Sequence, residues 1–299
     1  MMTTNLCCKL KSVGAYLITI ASGAVRSGGC LKRLKLLKFC SGLLLTLPAL
    51  AYEPPVLRFA TEEWPPFFSR SLPGDGLTGT LIGAVVTRMG QATQIDYFPW
   101  KRAMELGLRD ARYAGVVAML RNPEREKLCH FSSAVGSRQM VLAYLKDRPL
   151  SAAALTDLRG ARIGTVAGYS NGEQFDTLAR AGVIKVEEGT SDQINLRKLY
   201  AHRFPGMLIE KRMLRYLLTA GRYTPAQRER IGIIENLFAV RTVHVCFQHT
   251  ALGLERQQAF DEAARTLDLT RIERDYWRDL PDELRILGVK SDNRTRTVP

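Results

Sequence analysis

The stretch Leu57–Phe68, LRFATEEWPPFF, decides the fold. Its first residues, LRFAT, form a short apolar run with the pattern of a buried strand. Pro65-Pro66 cannot continue a strand ladder, so the chain has to leave the sheet there in an extended conformation. Trp64 and the pair Phe67-Phe68 therefore follow the carboxyl end of a strand, where open α/β sheets bind ligands. This position favours a small-molecule cleft for Trp64, whereas the two phenylalanines fit a cleft or a core equally well.

Composition indicates a soluble globular protein. The chain has 299 residues, of which 46% are hydrophobic and 24% charged, and this allows one large domain or two medium ones. The net charge of +14 is unevenly distributed, because residues 1–51 hold seven basic residues and no acidic one. The charges that follow are scattered rather than grouped in blocks, which favours a solvated surface over a nucleic-acid partner.

Residues 31–51 have the pattern of a secretory signal peptide. Four basic residues precede the apolar run Phe39–Leu47, and Ala49-Leu50-Ala51 closes it with small residues in the A-x-A pattern. The apolar run is too short to span a bilayer. We therefore expect a leader over 1–51, cleavage after Ala51 and export to the periplasm. The alternative is an uncleaved anchor, because Val13–Val25 is a second, moderately apolar run.

Two cysteines, Cys129 and Cys246, remain after that cleavage. In an oxidising compartment they can form a disulfide, but each lies in an apolar run where a free buried thiol is equally compatible. The four histidines are dispersed, and no Cys/His spacing resembles a zinc site. The sequence thus predicts neither a metal centre nor a cofactor.

Strand and helix patterns alternate along the rest of the chain, which is typical of α/β architecture with parallel strands. They group into one α/β unit over 52–145 and a second over 146–235. The strand and helices of 236–285 are too few to stand alone, so we expect them to return to the first unit, followed by a polar tail over 286–299. This order predicts two α/β lobes that are joined by two crossing hinge strands and separated by a cleft.

Four segments together resemble one family: LRFATEEWPPF, PWKRA, NPEREKLCHFS and GTVAGYSNGEQF, which begin at Leu57, Pro99, Asn122 and Gly164. They are similar to the family 3 periplasmic solute-binding proteins, the amino-acid receptors of ABC importers. The resemblance covers residues 56–280 in the family's order. It implies the type II periplasmic binding protein fold, a monomeric receptor and a small-molecule ligand.

The resemblance also implies a ligand anchor. Arg125, in the turn Asn122-Pro123-Glu124-Arg125, matches the arginine that holds the ligand carboxylate in the family. A planar guanidinium suits this role because it donates two parallel hydrogen bonds to a carboxylate. Ala118 and Leu120 occupy positions where the family often has serine or threonine, so this chain departs from the pattern of a standard α-amino-acid site.

The second predicted lobe contributes three candidates through the same resemblance. Tyr169 and Ser170 match the turn that offers a hydroxyl and backbone N–H groups, and a turn that opens a helix also directs a positive dipole end towards an anion. Ser170 can equally act as a helix cap. Glu210 matches the acidic residue that receives the ligand ammonium, although a glutamate at a helix start is an equally simple interpretation.

Aromatic and basic residues of the first predicted lobe complete the candidate site. Trp64 would stack on the ligand or wall it off. Trp100 and Arg102 both belong to the PWKRA segment, but on one regular helix they project about 200° apart. We therefore assign Trp100 to packing and Arg102 to a second contact with the anion.

The function implied is a periplasmic receptor that closes on an amino acid or related carboxylate and delivers it to an ABC permease. One alternative is an enzyme on the same scaffold, such as a dehydratase that acts on a small carboxylate. It would need a positioned acid or base, for which Glu62, Glu63 and Glu210 are available. A second alternative is a sensory binding module that works without a transporter.

Overall fold

The computed structural model describes residues 54–221 and 223–281. The predicted leader and polar tail lie outside these residues. The strands are β1 (Val56–Thr61), β2 (Ala92–Tyr97), β3 (Gly115–Leu120), β4 (Cys129–Phe131), β5 (Gly136–Arg138), β6 (Met140–Leu145), β7 (Arg162–Val166), β8 (Lys185–Gly189), β9 (Gly206–Glu210), β10 (Ile231–Ile234) and β11 (Arg241–Gln248). The helices are α1 (Leu77–Arg88), α2 (Trp100–Arg109), α3 (Pro123–Glu126), α4 (Glu173–Arg180), α5 (Asp192–Tyr200), α6 (Lys211–Ala220), α7 (Pro225–Glu229), α8 (Ala251–Arg265) and α9 (Leu269–Asp279).

The first sheet is built around β1. Its strand order is β2-β1-β3-β11-β4, and β5 also pairs with β11. β1 lies parallel to β2 and β3, whereas β11 returns antiparallel from the far end of the chain. Phe59 of β1 and Phe247 of β11 meet edge to face, with their ring centroids 5.9 Å apart. The predicted return of the C-terminal segment to the first unit is thus seen in the pairing of β11.

A disulfide joins Cys129 of β4 to Cys246 of β11, with their Cα atoms 5.5 Å apart. Both residues are buried beside Trp100, Val116 and Met119. Of the two states that the sequence left open, the structure has the paired one. The bond fixes the strand that follows α3 to the central return strand of the first sheet.

The second sheet has the order β10-β6-β9-β7-β8. β7 lies parallel to β8 and β9, whereas β6 lies antiparallel to β9 and β10. The predicted boundary at residue 145 assigned β6 to the first lobe, but its hydrogen bonds to β9 and β10 place it in the second. Periodicity alone could not reveal this, because a buried run such as MVLAYL suits either sheet.

The chain passes between the two sheets twice. Gln139 separates β5 from β6, and residues 235–240 separate β10 from β11. The first lobe therefore comprises residues 54–138 and 241–281, and the second comprises residues 140–234. The predicted α/β class and its two lobes with two crossings are confirmed. None of the helices described has the length and hydrophobicity needed to cross a membrane.

Candidate functional site

A cavity lies where the two lobes meet, at the carboxyl ends of β1 and β7. The cavity volume is about 30 Å³, room for about one water molecule, so a larger ligand requires the lobes to separate. Both lobes contribute to its walls, which are formed by Glu62, Trp64, Trp100, Ala118, Leu120, Arg125, Met140, Tyr169 and Ser170. Four of the six predicted site residues, Trp64, Arg125, Tyr169 and Ser170, are thus brought together.

Arg125 is held in the cavity wall by its own short helix. Asn122 caps α3 and accepts the Arg125 N–H at 2.8 Å, and Pro123 occupies the first helical position, where no N–H is needed. The guanidinium donates to the carbonyl oxygens of Leu120 at 2.9 Å and Gly168 at 3.1 Å, one in each lobe. It also lies 5.7 Å from the centroid of the Trp100 ring.

The charge of Arg125 is buried, and no carboxylate in the described part of the chain is paired with it. Only 8% of the residue is exposed, and it forms no ion pair within the described residues. Burial is the main cause, and the nearby Arg241 a lesser one, that lowers the pKa of Arg125 to about 10, and Asp176 and Glu124 partly offset this. A guanidinium in such surroundings is poised to accept an anion, because a carboxylate would restore the electrostatic balance lost on burial.

The turn after β7 connects the lobes through Gly168. This residue adopts φ +82°, and an added Cβ would lie 3.3 Å from Trp100 Cδ1, so glycine allows a close approach to α2. Its carbonyl oxygen accepts both the Arg125 guanidinium and the Trp100 indole N–H, the latter at 3.0 Å. Trp100, assigned from sequence to packing alone, is therefore buried, lines the cavity and bonds the opposite lobe.

The backbone donors expected after Tyr169 are partly occupied from within the chain. Asp176 accepts the Asn171 N–H at 3.0 Å and the Ser170 hydroxyl at 3.1 Å. The Ser170 hydroxyl also accepts the Asn122 amide at 3.2 Å, so it joins the turn to the Arg125 helix. Ser170 thus forms hydrogen bonds with groups of both lobes. Asp176 already accepts two of the donors with which this turn could bind an anion.

Sequence reasoning missed Arg241, the first residue of β11. Its guanidinium donates to the Ser170 carbonyl in the second lobe at 3.2 Å and to the Arg121 carbonyl in the first at 2.8 Å. Burial lowers the pKa of Arg241, and Asp176 partly offsets this. No sequence signal separates this arginine from others that begin a strand. Its importance comes from lying at a lobe crossing.

The opposite part of the site is acidic. Glu62 lines the cavity and is 7% exposed, and Asp192, from the first turn of α5, is 2% exposed. The Tyr169 hydroxyl donates to Asp192 Oδ2 at 3.4 Å. Burial raises the pKa of Glu62 well above its usual value; the bond to Tyr169 partly offsets this rise, and Asp192 adds to it. Burial likewise raises the pKa of Asp192 to about 7.

Asp192 was not predicted, because an acidic residue directly after Ser191 is the ordinary sequence of a capped helix start. Ser191 does cap α5 by accepting the Ile194 N–H at 3.3 Å. This leaves the Asp192 carboxylate free to point into the interior, where its Oδ1 has no hydrogen-bond partner among the described residues. The buried Trp64 indole N–H lies close enough to Asp192 to offset part of the rise in the pKa of that carboxyl.

Glu210 lies at the lobe crossing instead of in the cavity wall. Its carboxylate accepts the Met213 N–H at 2.8 Å and so caps α6. Burial raises the pKa of Glu210, and the buried Arg138 partly offsets this. Arg138 in turn lies 3.4 Å from the Phe67 ring centroid and 5.4 Å from that of Trp64. The simpler interpretation of Glu210, a glutamate at a helix start, describes its contacts.

Arg102 is also outside the cavity wall. It is exposed on α2 and pairs with Glu105 at 2.8 Å. The helix begins at Trp100, so the two side chains do project in different directions as the helical geometry requires. Since the indole turns towards the cavity, the guanidinium turns towards solvent.

The two-lobed arrangement matches many solved structures. One is an ancestral arginine-binding protein bound to arginine, with a TM-score of 0.63, 16% identity and coverage of 76% of this chain and 98% of that one. The fold is that of type II periplasmic binding proteins. An ABC uptake substrate-binding protein from Streptococcus pneumoniae with bound histidine gives a TM-score of 0.62 at 16% identity, covering 74% of this chain and 92% of that one.

A histidine kinase sensor domain with similarity to periplasmic binding proteins matches equally well, with a TM-score of 0.63 at 16% identity over 75% of this chain and 94% of that one. No protein-family model and no curated protein sequence matches the chain. At this level of identity the structural matches establish the type II periplasmic binding fold, which different proteins use for transport and for sensing.

Proposed function

We propose that this protein is an exported receptor that closes its two lobes on a small solute carrying a carboxylate, an amino acid or a related acid. The observation that carries the proposal is Arg125, a buried guanidinium in the wall of the interlobe cavity that has no carboxylate partner among the described residues. A ligand carboxylate would supply the missing negative charge, and burial strengthens such a pair.

Closure is coupled to this anchor through hydrogen bonds that join the lobes. Arg125 and Trp100 of the first lobe both donate to Gly168 of the second, and Asn122 donates to Ser170. A ligand that fixes Arg125 therefore also favours the closed arrangement. In the periplasm, hinge closure of this kind would present a changed surface to an ABC permease, the partner that we propose for a monomeric receptor.

The test is ligand binding by the purified protein and by Arg125→Ala. A thermal-shift screen of L-amino acids, polyamines and small carboxylates identifies ligands, and calorimetry measures their affinity. We expect carboxylate ligands to bind at least about tenfold more weakly to Arg125→Ala, since a charge-assisted hydrogen bond contributes about 1.5–3 kcal/mol. Unchanged affinity would reject Arg125 as the anchor.

Arg102→Ala is the matched control for this experiment. It removes an exposed arginine of the same lobe that lies outside the cavity wall, so affinity should stay within about twofold of the parent. Thermal unfolding of both variants without ligand shows whether the fold is retained. A loss of binding in Arg102→Ala as large as that in Arg125→Ala would point to a general charge effect.

One observation supports an enzyme as the second candidate. Glu62 and Asp192 are buried carboxyl groups with raised pKa values, well above the usual value for Glu62 and about 7 for Asp192, and a raised pKa is the property of a general acid. A dehydratase that acts on a small carboxylate would use such a group. Proton NMR of each binding compound after prolonged incubation with the protein separates the two, because a receptor returns its ligand unaltered.

A further inference from the structure

We propose that a cavity at the far edge of the second sheet is a binding site for a phosphate group. This site is separate from the interlobe cavity and goes beyond the proposed function. Its volume is about 240 Å³. Three arginines, one histidine and four apolar residues form its walls, and none of these eight is acidic: Leu145, Arg148, Arg162, Leu199, His202, Arg203, Phe204 and Pro205.

Sheet topology brings these residues together. β7 and β9 are parallel, so their amino ends, at Arg162 and Gly206, lie at the same edge of the second sheet. β6 runs antiparallel to β9, with Tyr144 opposite Gly206, and therefore brings its carboxyl end to that edge. The interlobe cavity lies at the carboxyl end of β7, a strand of five residues that spans about 13 Å. The two cavities therefore lie at opposite edges of the sheet.

The positive charge of this cavity is only partly balanced by acidic side chains. Arg148 and Arg203 form no ion pair with any residue that the structure describes. Arg162 lies 3.7 Å from the Glu187 carboxylate, but this carboxylate also pairs with Lys198 at 3.2 Å. One acid thus serves two cations, and the arginines of the cavity keep charge that an anion can neutralise.

Asp147, which precedes Arg148, is engaged by another cation. It pairs with Arg230 at 2.7 Å, and this bond is the largest cause of its lowered pKa, to which His202 adds. The second lobe as a whole has the same imbalance: residues 140–234 hold 15 basic and 9 acidic residues, whereas residues 54–138 and 241–281 hold 17 and 15. The surplus positive charge is therefore concentrated in the lobe that contains this cavity.

The histidine of the cavity occupies a position that usually belongs to glycine. At the end of α5, the Arg203 N–H bonds the Lys198 carbonyl at 3.0 Å and the His202 N–H bonds the Leu199 carbonyl at 2.9 Å, the two bonds of a Schellman motif. His202 has φ +56°, which is less favourable for a residue with a Cβ than for glycine. The two bonds also occupy terminal carbonyls of α5, so fewer of them oppose an anion in the cavity.

Phosphate is the anion that this arrangement fits. Several guanidinium groups around one space suit a group with more than one charge and several acceptor oxygens better than they suit a carboxylate. The three arginines are exposed and reachable from solvent, whereas Leu145, Leu199 and Phe204 are buried and form an apolar floor. The cavity is smaller than pockets for drug-sized ligands, about 300–1,000 Å³. It therefore suits a phosphate with a small apolar part, as in a soluble phosphate ester or a phospholipid head group.

The experiment measures phosphate binding by the purified protein in two arms. Calorimetry at constant ionic strength uses inorganic phosphate, pyrophosphate and glycerol phosphate. Sedimentation uses vesicles of phosphatidylcholine alone and of phosphatidylcholine mixed with an equal amount of phosphatidylglycerol. We expect saturable binding in at least one arm. Binding of the soluble phosphates alone identifies a soluble ester as the ligand, and capture by the mixed vesicles identifies a lipid head group.

Variants locate the binding. Arg148→Gln and Arg203→Gln should each weaken it by at least about fivefold, because each removes a charged donor of the cavity. Arg159→Gln is the matched control, an exposed arginine of the same lobe outside the cavity wall, and it should stay within about twofold of the parent. Arg125→Ala should also leave phosphate binding unchanged, because its cavity lies at the opposite edge of the sheet. Thermal unfolding of each variant without ligand shows whether the fold is retained.

Three results would overturn this inference. The first is the absence of binding in both arms. The second is a loss in Arg159→Gln as large as that in Arg203→Gln, which would indicate a general attraction between charges. The third is a loss in Arg125→Ala with binding kept in Arg148→Gln and Arg203→Gln, which would place the anion in the interlobe cavity. The carboxylate receptor is tested separately, with amino acids, so it stands or falls independently of these results.

Discussion

The cavity and the lobe crossing each bury one arginine and one glutamate, but they arrange them differently. At the crossing, Arg138 and Glu210 compensate each other, since each shifts the pKa of the other towards its ordinary value. In the cavity, Arg125 is bonded to backbone carbonyls, and Glu62 is accompanied by a second acid, Asp192. The same residue types therefore balance charge within the fold in one place and remain unbalanced in the other.

This difference indicates which buried charges serve the fold and which serve a ligand. Burial is the largest cause of the lowered pKa of both arginines, which is about 9 for Arg138 and about 10 for Arg125. What separates them is the surroundings: Arg138 is packed on the Phe67 ring, whereas Arg125 faces the cavity. An uncompensated charge beside a cavity can be neutralised by a ligand, whereas one inside packed protein cannot.

The largest effect that we predict comes from breaking the compensated pair. Arg138→Met keeps much of the packing on Phe67 but leaves Glu210 buried without its opposite charge. We expect it to lower the free energy of unfolding by about 3 kcal/mol, because it leaves a buried charge uncompensated and also removes the hydrogen bonds that Arg138 donates to the Ser137 carbonyl and the Thr78 hydroxyl. Urea unfolding followed by circular dichroism measures this.

The double variant Arg138→Met with Glu210→Gln is the control for that experiment. If the two charges compensate each other, the double variant should cost clearly less than the sum of the single variants, by about 1 kcal/mol or more. Additive costs would show that Arg138 and Glu210 act independently and would remove the contrast between the crossing and the cavity.

A smaller effect is expected from the uncompensated acids, and it depends on pH. The pKa of Asp192 is about 7 in the folded protein and about 3.9 in an unfolded chain. The folded state thus holds this proton more tightly, so its contribution to stability is complete below about pH 4 and is lost as pH rises towards 7. We expect a loss of about 2 kcal/mol between pH 5 and pH 8 from this group.

Asp192→Asn isolates that contribution, because urea unfolding of this variant should depend less on pH than that of the parent. His244 has a lowered pKa and contributes with the opposite sign below about pH 6.5. It is present in both proteins, so the difference between them cancels its effect. Opening of the cleft would also relieve the buried acids, so the radius of gyration is measured on the same samples. Parallel profiles for parent and variant would contradict the prediction.

Much of the architecture could be predicted from sequence because local signals determine it. The strand that stops at Pro65-Pro66, the alternation of strands and helices, and the turn Asn122–Arg125 each carry their own pattern. The second crossing could also be predicted, because the final strand and helices are too few to form a separate unit. The order of strands within each sheet is set by long-range pairing, and for this reason the side to which β6 belongs was not visible.

Site residues could be predicted from the sequence only where a residue of suitable chemistry also lies at a recognisable position. Arg125 was identified because its turn resembles that of the family, and Trp64 because it follows the carboxyl end of a strand. Arg241 and Asp192 have ordinary local surroundings, the start of a strand and the first turn of a capped helix. Arg241 and Asp192 reach the site because the two lobes, which are distant in sequence, come together there. No local sequence pattern predicts that contact.

The smallest effect that we predict concerns Glu210 and the ligand. The family resemblance assigns Glu210 to the ligand ammonium, whereas its contacts are the α6 N-terminus and the field of Arg138. Because Glu210 lies outside the cavity wall, Glu210→Gln should change ligand affinity by less than about twofold even if stability falls. Calorimetry with an amino acid that binds the parent measures this, with Glu62→Gln as the comparison. If folded Glu210→Gln loses more ligand affinity than Glu62→Gln, the prediction is wrong. Glu210 would then act on the ligand ammonium, either by direct contact or through its electric field.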